Sequence, residues 1–152
     1  MLFSQTMADV FTKKKRSDVM SKIRAKNTKP ELLVRQFLFS KGFRYRLHQD
    51  ALPGKPDIIL KKYKTIIFVN GCFWHGHKNC KKSILPTSNI TFWKGKIQAN
   101  IDRDKRSKRS LKKLGWSILT IWECDIKNKM TLTKTMNKLL KYLNGIKAEL
   151  NY

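Results

Sequence analysis

The sequence predicts an α/β fold, a mixed β-sheet with helices on both faces. Two observations carry this. The predicted elements run helix, three strands, helix, strand, helix, and a final strand reached through a long helical crossover favours a mixed sheet covered on both sides. The strongest strand signal, Thr65 to Asn70, is an apolar, β-branched run that reads as a buried strand. With 152 residues the chain has room for one domain with a modest core.

Residues 1–27 are polar and basic, with Lys13-Lys14-Lys15-Arg16 as a block. They read as an arm distinct from the domain at 28–152, of a kind commonly disordered when free and ordered on nucleic acid. Met7 is an alternative start, and Met20 and Ile23, three apart, hint at a short amphipathic helix. Thr28-Lys29-Pro30-Glu31 is a capping box: Thr28 caps the N–H of Glu31, and Glu31 reaches back. The helix it opens runs from Pro30 to Lys41, with Leu33, Val34, Phe37 and Leu38 on its apolar face and Gly42 as its stop. Phe43, Tyr45 and Leu47 alternate with arginines as a half-buried strand. After a loop come a short strand from Asp57 to Leu60, a turn from Lys61 to Lys64, and the buried strand to Asn70. An irregular segment occupies 71–92. A long polar helix follows from Trp93 to Leu114, with Ile97, Ile101, Leu111 and Leu114 as its buried stripe and Gly115 just past its end. Trp116 to Trp122 is the last strand. Leu132, Met136, Leu139, Leu140 and Leu143 mark a final helix closed at Gly145.

Lys and Arg number 34 against 10 Asp and Glu, a net charge of +24. Such an excess costs self-repulsion in the compact state, and its usual partner is a polyanion. No run approaches the length of a membrane span and no signal peptide is visible, so the expected setting is cytosolic, with no membrane partner. Three cysteines cannot all pair internally, which points away from a disulfide scaffold and towards thiol metal ligands.

Residues 72–80 hold two cysteines, two histidines and two large aromatics. Cys72, His77 and Cys80, with Cys124 just after the last strand, are a thiolate and imidazole set able to fill a tetrahedral structural zinc site. Such a site would staple the irregular loop to the sheet. His75 is a rival fourth ligand, and spacing does not choose between the two histidines. A closed zinc site does no chemistry, so neighbours must supply it. Asp57, at a strand start beside the end of the next strand, suits magnesium, which takes hard oxygen ligands. Phosphodiester cleavage needs such a cation and a base to activate water, a role open to His75. Asp104, three residues past Ile101, lies near the buried stripe of its helix and is placed to orient a histidine. Glu31 reads either as a helix cap or as a carboxylate aimed at a metal.

The residues resemble the very-short-patch repair (Vsr-type) DNA mismatch endonucleases from about Met7 to Asn128. The resemblance rests on Met7-Ala8-Asp9-Val10, Arg16-Ser17 with Met20, Leu52-Pro53-Gly54-Lys55-Pro56-Asp57, Ile67-Phe68-Val69-Asn70-Gly71-Cys72-Phe73-Trp74-His75, Phe92-Trp93, Asn100-Ile101-Asp102-Arg103-Asp104, and Leu114-Gly115-Trp116 running on to Trp122-Glu123-Cys124. It implies a restriction-endonuclease-like fold. It implies that Asp57 holds the catalytic magnesium with the backbone carbonyl of Val69, that His75 is the general base, that Asp104 belongs to its network, and that Glu31 is a further active-site acid. Cys72, His77, Cys80 and Cys124 match the zinc ligands. Phe73, Trp74 and Trp93 match aromatics that wedge into DNA beside a mismatch, and Asn70, Asn100, Met20, Lys13, Lys14, Lys15 and Arg16 complete the implied DNA contacts. The arm would grip the DNA on the other side, through the minor groove.

Threonine is usual in the family where Val69 stands, and histidine is common where Asn70 stands; asparagine hydrogen-bonds but takes no proton at neutral pH. Only the Pro-Asp half of the nuclease superfamily's carboxylate–lysine pattern is present. The implied function is a magnesium-dependent endonuclease that nicks one strand 5′ to the mismatched thymine of a T·G pair in double-stranded DNA. It would be a bacterial, nucleoid-associated monomer, with repair-pathway proteins as candidate partners. A non-catalytic zinc-containing DNA-binding module, and a related restriction-type or structure-specific nuclease, are the competing readings.

Overall fold

The computed structural model describes residues 12–23 and 26–151. The beginning of the basic arm, including Met7 to Val10, lies outside them. Four helices and three strands follow in the order α1 (Lys13–Ser21), α2 (Lys29–Ser40), β1 (Ile58–Leu60), β2 (Thr65–Asn70), α3 (Ile90–Lys113), β3 (Ser117–Trp122) and α4 (Lys129–Leu150). Short 3₁₀ turns stand at Lys61–Tyr63, Lys81–Ser83 and Glu123–Ile126.

The sheet order is β1-β2-β3. β1 runs antiparallel to β2, whereas β3 returns through α3 to pair parallel with it, Thr65 opposite Ser117 through to Asn70 opposite Trp122. The predicted mixed sheet is therefore present, and side-chain alternation divides its core. On one face Ile58, Leu60, Ile67, Val69 and Ile121 pack with Val34 and Leu38 of α2 and Met136, Leu139 and Leu143 of α4. On the other, Ile59, Ile66 and Phe68 pack with Leu111 of α3. All six residues of β2 are buried, as expected of a central strand covered by helices on both sides.

Four expectations need correction. Phe43 to Leu47 form no strand: the pairing is a single antiparallel bridge from Arg46 to Ile59, since only that residue meets the short β1. The short helix hinted at in the arm is present at residues 13–21, started by Thr12, whose Oγ1 accepts from the Lys15 N–H at 3.3 Å, but it holds Met20 and not Ile23, which lies beyond it. Leu114 is exposed, because α3 ends at Lys113 and the chain turns there into Gly115. And α4 runs past Gly145, where a Cβ would meet nothing within 4 Å; half-buried Ile146 packs on the core and extends the apolar stripe. Among the described residues no helix is long and apolar enough to cross a membrane.

Candidate nuclease and metal-binding site

The site is built on the C-terminal end of β2 and the loop that leaves it. Asp57 precedes β1, and its Oδ2 accepts the Val69 N–H at 2.7 Å, which fixes the carboxylate beside β2. In an extended residue the N–H and C=O point to the same strand edge, so the Val69 carbonyl faces the side on which Asp57 lies. Gly54 brings the preceding loop down onto α3: at φ +77° it sits where a Cβ would lie 2.6 Å from the Cβ of Ser107. The Asp57 carboxyl is raised from 3.8 to about 6, chiefly by burial and in part by Glu31, against the opposing pull of the Val69 hydrogen bond, Arg35 and His75. Glu31 and His75 thus both act electrostatically on Asp57, across three separate elements.

Glu31 is almost fully buried. Thr28 Oγ1 accepts the Glu31 N–H at 3.4 Å, as the capping pattern requires. The reciprocal bond differs by one residue: Glu31 Oε2 accepts the N–H of Asn27, not of Thr28, at 3.0 Å, while Oε1 accepts from the Thr28 hydroxyl at 3.0 Å. The two readings of Glu31 are therefore compatible, since the carboxylate that caps α2 also acts electrostatically on Asp57.

After Asn70 the chain folds into successive turns. The N–H of His75 donates to Gly71 O, that of Gly76 to Phe73 O, and that of His77 to Cys72 O. Gly76 has φ +58°, and a Cβ there would lie 2.6 Å from Ile101 Cδ1, so only glycine lets the loop rest on α3. This seats the His75 Nδ1 2.5 Å from Asp104 Oδ2, on α3. With Nδ1 donating to the carboxylate, Nε2 is the nitrogen left to accept a proton. Asn70 is buried at the end of β2.

Cys72, His77, Cys80 and Cys124 come together, their ligand atoms all within 4.8 Å of one another. His75 is outside this group, which decides geometrically between the two histidines. Three donors come from the loop and the fourth from the turn after β3. His77 Nδ1 is 3.4 Å from Cys124 Sγ, and its ring stacks on Trp122 at 4.0 Å and 4°. The Ser83 hydroxyl donates to His77 O and Cys80 O, and Lys82 pairs with Glu123 at 2.6 Å, giving the loop further ties. Burial pushes the Cys72 thiol up to about 12, while the Lys82 N–H draws that of Cys80 down. Of the three thiols only Cys72 is buried, and a soft divalent cation would convert all three to thiolate ligands. Three sulfurs and one imidazole nitrogen in a closed cluster fit zinc.

Phe73, Trp74 and Trp93 form an edge-to-face group with centroids 5.2, 5.3 and 5.9 Å apart. Asn100, buried on α3, donates to Trp74 O at 3.0 Å and accepts from Arg103 at 3.1 Å. Its amide is thus spent on holding the aromatic loop. Opposite the group stands α1: Lys13, Ser17 and Met20 line a cleft of about 380 Å³ with Trp74, Phe92, Trp93 and Lys96. Lys14 and Lys15 are exposed on the same helix, and the backbone of Arg16 belongs to it. Phe92 and Lys96 were not singled out from the sequence as site residues. Phe92 lies edge-on to Trp93 at 5.2 Å yet is largely exposed, and its adjacency to Trp93 was the available signal.

The chain matches the family described as DNA mismatch endonuclease Vsr over residues 8–82. It is 50% identical over 135 residues to the type II nicking enzyme V.NmeAIP of Neisseria meningitidis serogroup A, covering 89% of this chain and 96% of that one. It is 38% identical to the DNA mismatch endonuclease Vsr of Escherichia coli strain K12, covering 84% and 81% respectively. Its fold is similar to the catalytic domain of the homing endonuclease I-Bth0305I, with a TM-score of 0.54 and 22% identity over 79% of this chain and 98% of that one. That likeness supports the restriction-endonuclease-like arrangement of sheet and helices.

Proposed function

The chain belongs to the Vsr family of DNA mismatch endonucleases, and from that membership we propose that it nicks one strand of duplex DNA 5′ to the mismatched thymine of a T·G pair, by magnesium-dependent phosphodiester hydrolysis. The observation that carries this is the convergence of Asp57 with the His75–Asp104 pair at the end of β2. Carboxylate and carbonyl oxygens are the donors a magnesium ion takes, and Asp57 with the Val69 carbonyl would hold it, with Glu31 as a further acid. When bound, the ion supplies positive charge at the scissile phosphate. Asp104 holds the imidazole of His75 in one orientation, and His75 Nε2 removes the proton from the attacking water. Cys72, His77, Cys80 and Cys124 would hold zinc, which would fix the loop that carries both His75 and the aromatics. A mismatched pair is cheap to unstack, so Phe73, Trp74 and Trp93 select it by wedging, opposed by Met20 from α1. Residues 1–27 serve as the DNA-gripping arm and 28–152 as the endonuclease domain.

The test is a set of end-labelled duplexes carrying T·G, the other mismatches, or none, incubated with magnesium. A nick confined to the strand with the mismatched thymine is the expected product. Cutting of matched duplexes or junctions would favour a restriction-type or structure-specific nuclease, and no product under any condition a non-catalytic binding module. On the T·G duplex, His75→Ala should lower the single-turnover rate by about 100- to 10,000-fold, the range of a lost general base, without weakening DNA binding. Asp104→Asn should lose less, because Nε2 remains. Equal rates in both variants and the parent would remove the pair from the mechanism.

A further inference from the structure

One ion pair in the molecule is poorly explained by stability. Arg35, on α2 one turn after Glu31, is only 4% exposed. Its Nη2 donates to Glu31 Oε2 at 2.8 Å and its Nη1 to Asn27 Oδ1 at 2.7 Å. Nη2 also lies 3.4 Å from His48 Nε2, which must be the acceptor, because a guanidinium has only donors. The Arg35 Nε is buried with no partner among the described residues. Removing two charges from water costs several kcal/mol, often more than their attraction returns, and an apolar side chain beside Val34 and Leu38 would avoid that cost. Asn27 and His48 both stand in the left-handed region, at φ +56° and +46°, a conformation that is unusual for residues other than glycine. Both of these side chains end on Arg35.

The guanidinium does complete one arrangement. With Thr28 and the Asn27 N–H it engages both oxygens of Glu31 and holds that carboxylate in a single pose. Glu31 and Arg35 both act on Asp57, in opposite directions. We propose that Arg35 is a positioning residue of the nuclease centre: braced by Asn27 and His48, it clamps the Glu31 carboxylate in one pose and keeps a built-in positive charge beside it. The inference rests on the reading of Glu31 as an active-site acid. Arg35 touches neither DNA nor cation in this role, and acts only through Glu31.

The experiment is single-turnover nicking of a T·G duplex across a magnesium titration, with DNA affinity measured in the absence of added magnesium. The variants are Arg35→Met, Arg35→Lys and Glu31→Gln, with each Arg35 substitution also made in the Glu31→Gln background. Arg35→Met is expected to lower the rate by about tenfold to a hundredfold, as loss of a residue that orients a metal ligand does, and to raise the magnesium concentration needed for half-maximal rate. DNA affinity should be unchanged. Arg35→Lys keeps the charge but not the planar fork and should fall between. In the Glu31→Gln background neither substitution should cost anything further. Parental rate and magnesium dependence in Arg35→Met, or full additivity in the double variants, would overturn the proposal. If Arg35→Met does not fold, Arg35→Lys carries the same criteria. Parental activity in Glu31→Gln alone would instead show that the reading of Glu31 fails, and the clamp with it.

Discussion

Asp57→Asn should abolish magnesium-dependent nicking and at the same time make the cation-free protein more stable. The activity loss is expected to be on the order of 1000-fold or more, because a charge-stabilising cation is worth several kcal/mol at a developing transition state. The stability gain follows from burial. The Asp57 carboxyl is raised from 3.8 to about 6, so between those values the folded chain binds a proton that the unfolded chain has released. Stability must then fall as pH rises through that window, and the whole deficit, about 3 kcal/mol, is present above it. Asparagine keeps an oxygen for the Val69 N–H and carries no charge to bury. Melting curves of parent and variant should coincide near pH 4 and separate by several degrees above pH 6, the variant being the more stable. Magnesium should close that gap by stabilising the parent alone. A variant that melts below the parent at pH 7.5 without magnesium, or that still nicks, would contradict the placement of Asp57 as a buried cation ligand. For the same reason nicking at limiting magnesium should decline as pH falls through about 6.

The second large effect concerns the cysteine–histidine cluster. A structural zinc ion contributes on the order of 10 kcal/mol, comparable to the whole stability of an ordinary domain. Chelation, or Cys124→Ser, should therefore lower the melting temperature by tens of degrees or prevent folding. Cys124 is the informative position because it is the one donor outside the loop. Without it, Cys72, His77 and Cys80 no longer connect residues 71–83 to the turn after β3, and the Lys82–Glu123 pair is too exposed to substitute. Elemental analysis should find one zinc per parent chain and none bound tightly in the variant. An unchanged melt, with no zinc in either protein, would refute the staple. His75 lies outside the cluster, so His75→Ala should leave zinc content and melting temperature close to parental. That contrast separates loss of the base from loss of the scaffold.

The elements that could be read from the sequence are those whose signals are local. Thr28 and Glu31 mark the start of α2, because the cap is made within one turn. Thr65 to Asn70 read as a strand because every residue of β2 is apolar or β-branched up to its end, and all are buried. The alternation of Phe43, Tyr45 and Leu47 was misleading because alternation only prepares an edge; β1 has three residues and offers a partner to Arg46 alone. Gly145 looked like a stop, but no left-handed turn occurs there and Ile146 still reaches the core. In the site, the donor types were legible but their grouping was not. Spacing could not separate His75 from His77, since the choice depends on Gly76 dropping the loop onto Ile101 and bringing His75 to Asp104. The electrostatic influence of Glu31 on Asp57 was equally hidden, because it depends on how α2 docks on the sheet. Arg35 gave no signal at all: on a helical wheel it is one more basic residue in a chain with 34 of them.

The parallel pairing of β2 with β3 also sets an order of events during synthesis. Asp57, His75 and the aromatics emerge from the ribosome early, as do Cys72, His77 and Cys80. Asn70 gains its neighbour Trp122, and the cluster its fourth donor, only after α3 has been made. At roughly 5–20 residues per second this leaves seconds in which a nascent chain carries the basic arm and the aromatic group but no closed sheet. Pairing between segments so far apart in sequence is among the slower steps of folding. Competence to cut DNA therefore arrives last, and a chain interrupted before Cys124 would retain positive charge to attract a polyanion but lack the frame needed to break one.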